Sequence, residues 1–273
     1  MVRSLQNLQS ELNELTQKTS LLATELYHQY ENYCEILGKS AQKQLILAVY
    51  QVCTQIYPEA FLKLPLGQRE ALQENLRQIS QTLIAQLRST LDHPQDLPPQ
   101  NTIEPFDGAN APPLAHLSTP DAVLLWGKQR EQAITEALDK VSEEVNQLLQ
   151  QFQVIPRQIP SKLLEIALKS GDNDSSSAKA ANILDLLLEA SEDEDEEDDR
   201  FAQEERSLTK ITAIHLRRSE IEFNDAHLIQ SAKKTHQILH KLSQLRQHYH
   251  RNQQENAIAT AEAAWRSSWR EEE

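Results

Sequence analysis

Glycine is scarce in this chain, with five in 273 residues, and aromatic side chains make up only 5%. Turns between strands draw on glycine and strands draw on aromatics, so both shortages argue against a sheet-rich fold. Five scattered glycines cannot build a nucleotide-binding loop, and neither Gly-x-Gly-x-x-Gly nor a Gly-x-Ser-x-Gly nucleophile elbow occurs. There are two cysteines, Cys34 and Cys53, 19 residues apart in one helical stretch. A continuous helix separates them by about 28 Å, beyond the reach of a disulfide. Reduced thiols in a cytoplasmic protein are the expectation. Long apolar runs are missing too. Nothing approaches the roughly 20 residues that span a bilayer, and Met1–Ser4 leads into polar helix without a signal core. No transmembrane segment is expected.

Leu, Gln, Glu and Ala take the place of the missing residues, and all four favour helix. The expected fold is all-α: an elongated bundle or coiled coil of long antiparallel helices with a small inserted helical hairpin. Leu5, Leu8, Leu12, Leu15, Leu22 and Leu26 recur in three- and four-residue steps, with Thr19 filling the gap. That spacing keeps one apolar seam on one helix face. Leu45–Cys53 is apolar nearly all round, which predicts burial on every side. Gly38 reads as a tolerated mid-helix glycine, with a kink or a close helix contact as alternatives. Pro58 ends this first helix after Tyr57. A second stripe, Leu72, Leu76, Ile79, Leu83, Leu87 and Leu91, is expected to pair with part of Leu22–Tyr57.

The rest divides by composition. Residues 1–93 form an N-terminal helical hairpin, and the proline-rich stretch 94–119 a linker that Phe106 can pin to the bundle. Thr119-Pro120-Asp121 supplies a capping hydroxyl, a first-turn proline and a first-turn acid. The helix it opens carries Ile134, Leu138, Val141, Val145, Leu148 and Phe152 and stops by Pro156. Within 120–190, two short apolar helices follow, around Leu163–Leu168 and Ile183–Leu188. Residues 191–199 hold eight consecutive acids, Glu192–Asp199, expected to be disordered. The net charge is −14, and without that run it would be about −6. A long helix with a Trp-containing tail is expected over 200–273.

Few residues suggest chemistry. His236 and His240 stand four apart, a spacing that suits two metal ligands, but Gln237 replaces the glutamate of metalloprotease helices and no further ligand lies nearby. Glu25-x-x-His28 matches the carboxylate–histidine element of di-iron bundles, without a second copy or the added glutamates. A solvated polar face accounts for the first, and a chance match in a Glu-rich helix for the second. No catalytic residue, metal ligand or cofactor is assigned, and the chain is expected not to be an enzyme.

Two stretches suggest partners. From Leu208 to Arg251, eight Lys/Arg stand against three acids. His227, Lys234, Lys241 and His248 repeat every seven residues, joined by Lys233, Arg246 and Arg251. These are either charges flanking a coiled-coil seam, a face screened by the chain's own acidic run, or a polyanion-binding surface for nucleic acid. At the C-terminus, Trp265 and Trp269 share a helix side with Arg266 and Arg270 beside them, and Trp and Arg dominate binding hot spots. Such a tail docks on its own bundle, on a protein partner, or on a membrane surface, the last opposed by Glu271–Glu273. The Gln- and Leu-rich helices and the tail Ala-Glu-Ala-Ala-Trp-Arg-Ser-Ser-Trp resemble helical coiled-coil proteins of cyanobacteria. The resemblance implies a bacterial cytoplasmic protein and carries no activity or site residues with it. The combined expectation is a coiled-coil adaptor or scaffold that binds a protein, with homo-oligomerisation open. A nucleic-acid-associated protein and a helical-bundle metal protein are the alternatives.

Overall fold

The computed structural model describes residues 5–91, 114, 117–156, 182–189 and 208–268. Helix accounts for 86% of the interpretable residues, so the protein is mostly helical. In chain order the elements are α1 (Leu5–Gln51), a π-helical turn (Val52–Ile56), α2 (Pro58–Lys63), α3 (Leu66–Ser89), α4 (Pro120–Gln151), β1 (Ile183–Glu189), β2 (Leu208–Ile214), α5 (Arg218–Phe223) and α6 (Ala226–Ser268). The chain forms two compact units. One comprises residues 1–36, 88–134 and 226–273, and the other residues 37–87 and 135–225. α1 and α4 contribute to both.

In the first unit, α1 brings Leu8, Ala23, Leu26, Tyr30 and Tyr33 to the core, α4 brings Val123, Trp126 and Ile134, and α6 brings Leu228, Ile238 and Leu242. Thr19, the one polar residue in the α1 seam, is fully buried and donates its hydroxyl to the Leu15 carbonyl at 2.8 Å, so its burial leaves no orphan donor. Trp126 packs edge-on against Tyr30, with ring centres 5.5 Å apart. Beside it, a Cβ on Gly127 would stand 3.0 Å from the end of the Leu239 side chain, a tight approach. Polar ties follow the helices: Gln29 donates to the Ser231 hydroxyl at 2.8 Å and Asn252 donates to Glu11 at 2.9 Å.

In the second unit, Leu37, Ala41, Leu45, Ala48, Val49 and Val52 of α1 are buried, as are Leu72, Leu76 and Leu83 of α3 and Leu138, Val141, Val145 and Leu149 of α4. Gly38 marks a close contact: a Cβ there would lie 2.8 Å from the Ile84 side chain and 3.2 Å from its Cα. Within their own units, Glu35 meets Arg88, Gly38 meets Ile84 and Gln42 meets Ser80, so rising numbers on α1 meet falling numbers on α3. The first helix stops as α-helix at Gln51, earlier than the expected Tyr57, and passes through the π-helical turn before Pro58 takes the first position of α2, where its missing N–H costs nothing. α4 stops before Pro156. Gln153 adopts φ 58, and Val154 and Gln153 donate back to Leu149 and Gln150, a left-handed cap that closes the last carbonyls.

Three expectations need correction. Residues 183–189 form a strand, not the second helix of a small hairpin, and pair antiparallel with 208–214 from Ile183↔Ile214 to Glu189↔Leu208. An apolar run this short has no period that separates helix from strand, and its partner Leu208-Thr-Lys-Ile-Thr-Ala-Ile is rich in β-branched residues. The long C-terminal helix consequently begins at Ala226, after the short α5, and not near residue 201. Burial around Leu45–Cys53 is one-sided: Ile46, Leu47 and Tyr50 are exposed. The expected short helix near 163–168, the acidic run 192–199 and Phe106 lie outside the described residues, as does most of the linker. Leu114 and Leu117, at the linker's end, are buried.

Candidate functional site

α6 carries every described residue singled out for binding. Its buried side is Leu228, Ser231, Ala232, Thr235, Ile238 and Leu242. His227, Lys233, Lys234, Lys241, Arg246 and His248 are all exposed. His227, Lys234, Lys241 and His248 share one line of the helix at seven-residue steps with Lys233 beside it, whereas Arg246, eighteen residues after Leu228, lies on the other flank of the buried side. The line through His227, Lys234, Lys241 and His248 repeats at about 10 Å per heptad. Between Ala226 and Gln254 there is no Asp or Glu. His236 and His240 do not act together: His236 Nδ1 lies 2.9 Å from the Ala232 carbonyl, and His240 Nε2 lies 3.0 Å from the Gln244 amide. Among the described residues no group of three or more His, Cys, Asp or Glu could hold a metal ion. His28 of the Glu25-x-x-His28 match instead contacts Glu31 at 2.8 Å on an exposed surface.

Toward its end α6 loses its cover. Every residue from Thr260 to Ser268 is exposed. Ile258 is 53% exposed and Trp265 67%. With Ala261 they fall at i, i+3 and i+7, a single apolar strip one helix face wide. Arg266 sits beside the strip and donates to Glu262 at 3.3 Å. Trp269 and Arg270 lie outside the described residues. Further back, an open groove of about 500 Å³ is lined by Glu11, Leu15, Lys18, Leu245, His248 and Arg251 among others.

The second unit holds a polar junction that sequence reading missed. Asn146, fully buried in the apolar stripe of α4, clamps the backbone of β2: its amide donates to the Ile214 carbonyl and its oxygen accepts the Ile214 N–H, both at 2.8 Å. One turn earlier, Ser142 accepts the Leu216 N–H at 2.9 Å. Tyr57 accepts the Thr212 N–H at 3.0 Å. At the start of β1, Asn182 takes φ 64, a left-handed conformation that asparagine tolerates. Its N–H donates to Glu220, and its side-chain oxygen accepts the Arg217 N–H at 3.2 Å. His215 is buried, with Nε2 3.5 Å from Asp139 and Nδ1 accepting from Arg217 Nε at 3.4 Å. These groups satisfy one another and hold the base of the strand pair. The only advance signal was two polar residues, Ser142 and Asn146, beside Val141 and Val145 on one stripe.

Cys34 and Cys53 are buried and not joined in a disulfide, and burial pushes the Cys53 thiol up to about 11. A thiol held protonated is a poor nucleophile. No helix among the described residues is long and apolar enough to cross a membrane.

No protein-family model, curated protein or solved structure matches the chain.

Proposed function

We propose that this protein is a non-catalytic helical adaptor or scaffold that binds a protein partner through the C-terminal end of α6. The observation that carries this reading is the exposed apolar strip Ile258–Ala261–Trp265 at the end of a helix that is otherwise seated in a core. Anchors at i, i+3 and i+7 are how one helix is read by an apolar groove on another protein. Trp265, with Arg266 and, from the sequence, Trp269 and Arg270, supplies the residue types that dominate binding energy. Behind the tail, long helices provide a stiff mount. Glu11 meets Asn252 while Gln29 meets Ser231, an order that supports antiparallel, coiled-coil-like packing of α1 on α6. A cytoplasmic location and closure of such seams between two copies belong to the same proposal.

The test is capture of partners from nuclease-treated extract of the source organism. The wild-type chain is compared with a Trp265→Ala/Trp269→Ala double substitution of equal helicity. A partner identified with the wild type, lost with the substituted chain and rebuilt from purified components supports the reading. Equal capture by both removes the tail from the account.

A further inference from the structure

The middle of α6 poses a separate question from its end. The chain carries a net charge of −14, yet 29 consecutive residues of α6, Ala226–Gln254, contain five Lys/Arg, five His and no acid. Lys233, Lys234, Lys241 and Arg246 are exposed, and none makes an ion pair among the described residues. Arg251 is paired with Glu255 and His250 with Asp121, so the unneutralised charge is concentrated between residues 233 and 246. Gln230, Gln237, Gln244 and Gln247 fill the exposed face between the cations. That surface offers ammonium, guanidinium and amide donors and, apart from Ile229, no exposed apolar anchor.

We infer that this face of α6 binds the phosphate backbone of nucleic acid without reading its sequence. Charge complementarity selects a polyanion. The lack of apolar anchors separates nucleic acid from an acidic protein, because protein interfaces concentrate their energy in desolvated aromatic and aliphatic pockets. Phosphate contacts need only cations and amide donors, and they position without specifying bases. From Lys233 to Arg246 the cations span about 20 Å along the helix axis, enough to meet successive phosphates. The rest of the chain carries a net negative charge, so this stretch stands out as its basic segment. The proposal uses a different stretch of α6 from Trp265 and stands or falls apart from partner docking by the tail.

The experiment is fluorescence anisotropy of the full chain with a 30-nucleotide single strand, the corresponding DNA and RNA duplexes, and poly-glutamate of matched charge. About four neutralised phosphates give a log–log salt slope near −3, so affinity should fall about sixty-fold between 50 and 200 mM salt. A Lys233→Gln/Lys234→Gln/Lys241→Gln/Arg246→Gln chain, with helicity unchanged by circular dichroism, should lose at least ten-fold in affinity at 50 mM salt and show a flatter slope. Preference for one nucleic acid names the source of the phosphates without altering the proposal. No nucleic-acid binding at 50 mM salt overturns it, as does equal binding by the substituted chain. Poly-glutamate binding as tight as nucleic acid overturns it in favour of an acidic polypeptide.

Discussion

Cys53 shows how much a single side chain's behaviour depends on where its helix is covered. It stands at the π-helical turn after α1, buried, with its thiol pushed up to about 11 from an ordinary value of 9.0 by loss of solvation. Because the folded value is raised, the folded chain holds this proton more tightly than the unfolded chain does. The associated stabilisation is complete below pH 9 and is lost as pH climbs toward 11. At pH 8 the native thiol should therefore resist maleimide and react only on unfolding, and a Cys53→Val chain should keep stability through pH 9–11 that the wild type loses. Labelling of folded protein as fast as of unfolded protein would contradict the burial. Gly38 belongs to the same scale. It was legible as a glycine within a helix, but only the approach of Ile84 shows that the missing Cβ makes room for a neighbour.

Among the elements, the long helices were readable because their apolar residues keep three- and four-residue steps for many turns. Leu72, Leu76, Leu83 and Leu87 of α3, and Ile134, Leu138, Val141, Val145 and Leu148 of α4, are all buried as their spacing required. The strand pair was not readable in the same way. Ile183–Leu188 is shorter than one period test needs, and an isolated two-stranded ribbon is marginal in water without outside support. That support comes from Asn146, Ser142 and Tyr57, which bond backbone groups of β2 and the residues after it. Such a clamp depends on tertiary placement and leaves no periodic trace. Asn146→Ala strands the Ile214 N–H and carbonyl in a buried site, and the chain should lose about 2–6 kcal/mol, given roughly 1–3 kcal/mol for each unsatisfied group. Urea unfolding measures it. A loss under about 0.5 kcal/mol would show that the clamp is incidental to the fold.

For the whole molecule, the division between buried and open surface decides what the protein can do. All-round burial of Leu45–Cys53 was the wrong expectation because an apolar composition does not say how many sides of a helix find a neighbour. Ile46, Leu47 and Tyr50 find none close enough to cover them. The exposed basic residues of α6 were legible for the opposite reason: once Leu228, Thr235, Ile238 and Leu242 face inward, the exposure of Lys234, Lys241 and His248 follows. The tail stood between docking on its own core and reaching a partner, and everything proposed for it rests on Trp265 being open to solvent. Incorporation of 5-fluorotryptophan, with fluorine NMR of the wild-type chain and of a Trp265→Phe chain, tests this most directly. The resonance lost on substitution should show a solvent isotope shift in D2O close to that of free fluorotryptophan, while the Trp126 resonance shows little. A Trp265 resonance as insensitive to solvent as that of Trp126 would place the tail in the protein's own core and contradict the adaptor account.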